Sequence, residues 1–557
     1  MPGAPLLEVE ALTFRYRRAS EPAIRDLSLT INPGEVLLVA GPSGCGKSTL
    51  IRAINGLIPH AYRGDLQGIV RVEGRPTTEL RMRDISLAVG TMLQDPARQI
   101  VGSTVESELA FGPENLGQAP GKIRERIGEV IAQAGIVALK GRDTAGLSGG
   151  ERQLVAMAGT LMLRPRLYVV DEPLANLDPA TARHLLVTLR ALADDGHAVV
   201  IVEHRVEEAL ALKPDRVLYL DGGSARYLGP VDGFLRMADP EAVRLPFEVV
   251  LERARQAGTR EPPTPSRARG HSMPSRLVFD EVHIELGGRE VIRGLTASFG
   301  AREIVAVLGP NGSGKTTMFR TAMRLVEPSA GSVSVDGLPV ANRTVAELAH
   351  VFGYVFQSPS QMLFARTVRE ELMFGPRNLG LAMDDPEGSA LESLRRASLD
   401  EEGILDRPPL TLSFGQQKRL ALAIGLGLRP PTLILDEPSA GQDHRSANRF
   451  MEAVAAIPEL ESLYFVTHDV DLALAHADRI LVVRDGEIVA DGPPEEVIVD
   501  DERWRSCNLY RTSLIDANLA HSPPGGHFLE ASALAQLVVA RESEHRSITE
   551  GRPGKQG

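Results

Sequence analysis

Cysteine is nearly absent from this chain: Cys45 and Cys507 are the only two in 557 residues. That is too few for a disulfide framework and fits a reducing compartment. Long apolar runs are missing as well. Val36-Leu37-Leu38-Val39-Ala40 and Ala198-Val199-Val200-Ile201-Val202 stop far short of the roughly 18 residues that span a bilayer, so any membrane role is expected to run through another chain. Met1-Pro2-Gly3-Ala4 has no basic segment leading into an apolar one, and no signal peptide is expected. A basic excess is also lacking: the net charge of -12 argues against nucleic acid as the main partner. What remains is the composition of a folded protein, 43% apolar and 24% charged, long enough for two or more domains.

The chain is written twice. Gly41-Pro42-Ser43-Gly44-Cys45-Gly46-Lys47-Ser48-Thr49 recurs in the second half as Gly309-Pro310-Asn311-Gly312-Ser313-Gly314-Lys315-Thr316-Thr317. Gln94 and Gln357, Ser148 and Ser413, Asp171 and Asp436, and His204 and His468 follow in the same order at nearly the same offset. Such self-similarity marks a tandem architecture. Domains are placed at 1–250 and 276–512, with a linker at 251–275 whose Glu261-Pro262-Pro263-Thr264-Pro265-Ser266-Arg267 reads as extended. The tail, 513–557, holds Ser522-Pro523-Pro524-Gly525-Gly526 and then helical apolar spacing over 528–541; a surface helix or a disordered end is expected. Short β-branched runs alternate with helical stretches such as 179–192 and 205–212. This predicts an α/β fold whose reactive groups sit at the carboxyl ends of buried parallel strands.

Each glycine loop has the form G-x-x-x-x-G-K-(S/T) between a strand and a helix, the context in which backbone N–H groups and a helix N-terminus cradle phosphate. One match is explicable as a chance turn; two, each followed by the same further residues, are not. Lys47 and Lys315 are expected to reach the β- and γ-phosphates, with Ser48 and Thr316 offering a hydroxyl to Mg²⁺. Asp171 and Asp436 close apolar strands, where an unpaired carboxylate costs several kcal/mol and holding Mg²⁺ or its water shell answers the need. Glu172 and Glu437 come next and are placed to polarise a water for attack on the γ-phosphate. The plainer alternative for them is a helix-start acid.

Leu147-Ser148-Gly149-Gly150-Glu151-Arg152-Gln153 and Leu412-Ser413-Phe414-Gly415-Gln416-Gln417, taken with these motifs, resemble the signature of ATP-binding-cassette proteins. The resemblance implies two P-loop domains, each with a RecA-like parallel-sheet core, an antiparallel β subdomain and a helical subdomain. It also implies that ATP is hydrolysed between them. Ser413, Gly415 and Gln416 would then complete the site of Lys47, and Ser148, Gly149 and Gly150 that of Lys315. By the same resemblance Gln94 and Gln357 sense metal and water. Asp178 and Asp443 are D-loop residues, and His204 and His468, at nearly equal separations past the two strand-end aspartates, face the γ-phosphate. Tyr16 aligns with the residue that stacks on adenine. The matching position in the second copy is Leu286, which predicts weaker nucleotide binding there. Phe414 replaces a signature glycine, yet both sites are expected to hydrolyse ATP.

Ala110-Phe111-Gly112-Pro113-Glu114-Asn115-Leu116-Gly117 is echoed by Met373-Phe374-Gly375-Pro376-Arg377-Asn378-Leu379-Gly380. This is similar to the ATPase subunits of energy-coupling factor importers for vitamins or transition-metal ions. The resemblance implies a peripheral place on the cytoplasmic face of the membrane, a coupling-helix-bearing membrane subunit and a substrate-binding membrane subunit. Ile100, Val101, Leu363 and Phe364 are candidates for the apolar floor that receives the coupling helix; the alternative is that they belong to the core of the helical subdomain. Ala97-Arg98 and Ser360-Gln361 stand where that group commonly has an acidic pair. Other readings are a tandem ATPase of a sugar, peptide or drug transporter, and a two-cassette translation factor, whose long basic insert is missing. A DNA-maintenance ATPase would need sustained heptads, and none occur.

Overall fold

The computed structural model describes residues 4–17, 19–175, 177–257, 275–381, 385–440, 442–522 and 528–550. Backbone contacts divide the chain into two compact units, Met1–Arg253 and Ala254–Gly557. The proline-rich stretch 261–267 and the segment 523–526 lie outside the described residues.

In the first unit the strands Val36–Ala40, Leu167–Asp171 and Ala198–Val202 are buried at every position. Their unbroken apolar runs suit a parallel sheet covered on both faces. The six-stranded sheet runs Ser224–Gly229, Arg216–Asp221, Val36–Ala40, Ala198–Val202, Leu167–Asp171, Val89–Met92, antiparallel only at its first pair. A four-stranded antiparallel sheet is built from Ile24–Ile31, Leu7–Tyr16, Gly64–Val72 and Arg75–Pro76. Leu7–Tyr16 buries Leu7, Val9, Leu12 and Phe14 into one core that also takes in Leu37, Val39, Leu50 and Ile54. The helices Val105–Asn115, Pro120–Gln133 and Gly149–Met162 form a separate layer.

The second unit repeats the plan. Its large sheet runs Phe352–Val355, Thr432–Asp436, Ser462–Val466, Ile304–Leu308, Arg479–Arg484, Glu487–Gly492, and its antiparallel sheet joins Arg289–Gly300, Ser275–Leu286, Ala330–Val335 and Leu338–Pro339. Val368–Asn378, Pro386–Arg396 and Phe414–Gly427 supply the helical layer.

Both ends of the second copy depart from the sequence expectation. The helix Phe247–Ala257 enters the stretch expected to be linker, because Phe247 and Val250 are buried on one face of it. The tail does more than cover a surface. Helix Ser513–His521 buries Ile515 and Asn518, Phe528 packs against the core of this unit, and helix Ala531–Glu550 buries Leu534, Ala535, Val538 and Val539. Those four positions form a helical stripe. Among the described residues no helix is long and apolar enough to cross a membrane.

Candidate functional site

Each glycine loop starts where a buried strand ends. Gly41 and Gly309 take φ of 146° and 144°, and a Cβ there would lie 2.2 Å from the Leu220 carbonyl oxygen and 2.0 Å from that of Val483; only glycine fits. The loops feed the helices Lys47–Ile54 and Lys315–Ala322. Lys47 Nζ donates to the carbonyl oxygens of Gly41 (2.7 Å) and Pro42 (2.8 Å), and Lys315 Nζ to those of Gly309 (2.8 Å) and Pro310 (2.7 Å). In both units the ammonium therefore sits over the mouth of the loop.

The acidic pair lies beside it. Asp171 ends its strand, is buried, and leaves Oδ1 without a hydrogen-bond partner. Burial and the neighbouring Glu172 push its carboxyl up to about 7, against the Ser48 hydrogen bond and the Lys47 charge. Burial also acts to raise Glu172, yet the His204 charge and hydrogen bond, with Lys47 and Gln94, outweigh it and hold this group below its usual range. His204 Nε2 lies 2.9 Å from Glu172 Oε1, and Gln94 Nε2 donates to Oε2 at 2.7 Å. In the second unit Thr316 Oγ1 donates to both oxygens of Asp436, at 2.9 and 3.0 Å, and burial raises that carboxyl. Burial also lifts Glu437 to about 8. Its Oε1 lies 3.1 Å from His468 Nε2 and its Oε2 accepts from the His468 backbone N–H at 3.2 Å. Both histidines thus face the glutamates. The catalytic candidates come together around the lysine of their own unit.

The signature serines are helix caps. Ser148 Oγ accepts from the Glu151 N–H while Glu151 Oε2 accepts from the Ser148 N–H at 2.7 Å, opening the helix Gly149–Met162 with Gly149 and Gly150 in its first turn. Ser413 and Gln416 make the same reciprocal pair, with Gly415 in the first turn of Phe414–Gly427. Gln416 is held further by Glu401, 2.5 Å away. Asp178 caps Pro179–Asp194 by accepting from the Thr181 N–H (3.1 Å), and Asp443 caps His444–Ala455 by accepting from the Ser446 N–H (2.7 Å). These aspartates are buried. Gln357 follows the strand Phe352–Val355 as Gln94 follows Val89–Met92.

Sequence reasoning assigned no role to four side chains here, although Gln153 lies in the signature stretch it quoted. Gln153 is fully buried and its Nε2 donates to the carbonyl oxygens of Glu172 (3.0 Å) and Pro173 (2.7 Å). Lys418, at the matching place five residues past the signature serine, donates to those of Glu437 (2.9 Å) and Ala440 (2.5 Å). Each ties a signature helix to the segment that carries the glutamate. Arg52 and Tyr62 surround Tyr16, whose hydroxyl lies 3.1 Å from Thr49 Oγ1 and accepts from Arg52 at 2.7 Å. Leu286 ends its strand in the second unit and is exposed.

The apolar floor divides. Leu363 is core and Ile100 is half-buried, whereas Val101 and Phe364 are 62% and 64% exposed. Phe111 and Phe374, at matching positions of the repeated Phe-Gly-Pro segment, are 50% and 51% exposed, and Phe364 meets Phe374 edge-on at 4.7 Å. Lone exposed apolar residues are ordinary; exposed apolar residues recurring at matching places of both units, with a phenylalanine from the repeated segment in each, are a contact signal.

Chemically, each unit offers a cradle for a polyphosphate, oxygen donors for a hard cation and a carboxylate set to orient water. A family profile described as ABC transporter matches residues 24–175 and 292–440. Over nearly its whole length the chain is similar to a protein of Methanosarcina mazei provisionally described as an ABC transporter ATP-binding protein. The identity is 32% over 543 residues, covering 90% of this chain and 92% of that one. A protein of Streptomyces coelicolor with the same provisional description is 35% identical over 544 residues, covering 89% and 95%. Among solved structures, cbiO1 of Clostridium perfringens, part of the ABC transporter complex cbiONQ, is 31% identical, covers 42% of this chain and 94% of its own, and gives a TM-score of 0.37.

Proposed function

The chain belongs to the ATP-binding proteins of the ABC transporter family, with two cassettes in tandem, and on that premise we propose that it is the ATPase subunit of an energy-coupling factor importer for a vitamin or a transition-metal ion. It is an ATPase. The observation that carries the importer type is the doubled Phe-Gly-Pro segment with exposed apolar residues in each copy, Val101 and Phe111 in the first and the touching Phe364 and Phe374 in the second. An apolar face of that kind suits an amphipathic helix of a membrane subunit.

In hydrolysis Lys47 and Lys315 hold the β- and γ-phosphates, and the loop N–H groups share the load. Glu172 and Glu437 orient the attacking water and take its proton, while His204 and His468 fix those carboxylates. By the family resemblance Ser148 and Ser413, each at a helix N-terminus, would cap the triphosphate of the opposite cassette. Mg²⁺ fits the donor set: Asp171 offers a buried, unpartnered Oδ1 beside the Ser48 hydroxyl, and hard oxygen ligands are what the ion takes. Ser48, Gln94 and Asp171 would hold it in the first cassette and Thr316, Gln357 and Asp436 in the second. When bound it supplies charge neutralisation at the phosphates.

The test is purification from membranes in mild detergent with identification of what accompanies the chain. Recovery of a coupling-helix-bearing membrane protein together with a small substrate-binding membrane protein is expected. A permease of another architecture, or co-sedimentation with ribosomes, would overturn the importer reading and leave the ATPase standing.

A further inference from the structure

The residue that precedes His204 is not the one that precedes His468. Strands Ala198–Val202 and Ser462–Val466 run into these histidines through Glu203 in the first cassette and Thr467 in the second. The backbones match. The N–H of Glu203 donates to the Val39 carbonyl oxygen and that of Thr467 to Val307, each at 3.2 Å, while the N–H groups of Glu172 and Glu437 donate to Val202 and Val466, each at 2.9 Å. Glu203 and Thr467 are both buried, so the divergence lies in what each side chain can accept.

Glu203 gathers backbone donors from both sides of the site. Its Oε1 accepts from the N–H of Leu174, two residues past Glu172, at 2.9 Å, and its Oε2 from the N–H groups of His204 (3.0 Å) and Arg205 (3.3 Å). An acceptor-only carboxylate suits three converging donors. With the His204 N–H already taken, Glu172 spreads its two oxygens between the His204 ring and Gln94. The oxygen that meets Gln94 therefore points to where metal and water are assigned. Thr467 has a single hydroxyl, which accepts from the Asp469 N–H at 3.0 Å. Here the His468 N–H goes to Glu437 itself, whose other oxygen lies against the His468 ring. That carboxylate is folded back onto one residue, and a water must compete with that residue for it.

We propose that Glu203 is a positioning residue for hydrolysis in the first cassette: it takes the His204 N–H that Glu172 would otherwise bind, and so keeps the Glu172 carboxylate turned to the water. Thr467 leaves the corresponding N–H to Glu437, and the second site turns over more slowly. This rests on Glu172 and Glu437 being the groups that orient the attacking water.

The experiment follows single-turnover hydrolysis at saturating ATP in the purified full-length chain, alongside equilibrium binding of a non-hydrolysable ATP analogue. With Glu437→Gln the first site reports, and with Glu172→Gln the second. Misplacing a reacting group costs on the order of tenfold to a hundredfold, so the Glu437→Gln chain is expected to be the faster by at least about tenfold. Adding Glu203→Thr brings it down to the rate of the other chain, and Glu203→Gln, which keeps one accepting oxygen, lowers it less. Analogue affinity stays within about twofold, a split between rate and binding that lost packing alone would not produce. The reverse transplant, Thr467→Glu with Asp469→Arg in the Glu172→Gln chain, copies the Glu203 and Arg205 pair. It is expected to raise the rate of the second site about tenfold, a gain that misfolding cannot mimic. Equal rates in the two parent chains, an unchanged rate in both Glu203 variants, or a fall matched by an equal loss of analogue affinity would overturn the proposal. So would a transplant that binds the analogue without gaining rate. Undiminished phosphate release from the chain with both glutamine substitutions would instead remove the water-orienting assignment, and the proposal with it.

Discussion

Glu172 and Glu437 both occupy the left-handed backbone region, at φ of 49° and 53°, a placement that costs a residue with a Cβ on the order of 1 to 2 kcal/mol. The cost is tolerated where it aims a reacting group. Glu172→Gln combined with Glu437→Gln keeps the shape and removes the base, so phosphate release is expected to fall by at least about a hundredfold while equilibrium ATP binding persists; undiminished release would end the assignment. Gln153 and Lys418 clamp the backbone next to these glutamates. Gln153→Ala strands two buried carbonyl oxygens, a loss of about 1 to 3 kcal/mol, and is expected to lower both the denaturation midpoint and kcat. The glutamates were legible in the sequence because an acid pair closing an apolar run is costly to bury unless it has a charged ligand to serve. The clamping role of Gln153 and Lys418 was not, even though Gln153 closes the quoted signature stretch, since the partners of each lie well beyond its helix along the chain.

At the level of elements, strands buried on both faces announce themselves as unbroken apolar runs, and Val36–Ala40 and Leu167–Asp171 were readable for that reason. The tail was harder. Besides its buried apolar residues, its attachment runs through single polar ones: Thr512 Oγ1 donates to Asp471 Oδ1 at 2.6 Å, and Asn518 exchanges hydrogen bonds with both the N–H and the carbonyl of Leu529. Asn518→Ala is expected to cost the second cassette about 2 kcal/mol, read as an earlier urea transition. An unchanged transition would mean that the tail is only laid on the surface. The exposed aromatics behave oppositely. Phe364→Ser with Phe374→Ser should shift stability by no more than about 0.5 kcal/mol per site and yet abolish co-purification of the membrane subunit; retention of the partner would place the docking face elsewhere.

Across the whole molecule the repeat is the strongest signal, because a nearly constant spacing between five landmarks survives the divergence of everything between them. The exchange of Tyr16 for Leu286 was readable in the sequence, but the different surroundings of Arg52, which donates to Tyr16, and Arg320, which lies beside the Phe356 ring, were not, since the residue type is identical and only its neighbours differ. Closure of two nucleotide-loaded domains is a conformational step that a partner can gate. The purified chain is therefore expected to hydrolyse ATP slowly until reconstituted with its membrane subunits, with a rise of about tenfold or more on assembly; full turnover without them would argue against such gating. The exchange of Tyr16 for Leu286 gains a particular meaning from lying on one polypeptide. Separate subunits with nearly the same shape would sort into like and unlike couples according to their abundance, and some assemblies would inherit two copies of one variety. Here synthesis itself sets the stoichiometry, so every molecule leaves the ribosome with one tyrosine-bearing half and one half without it.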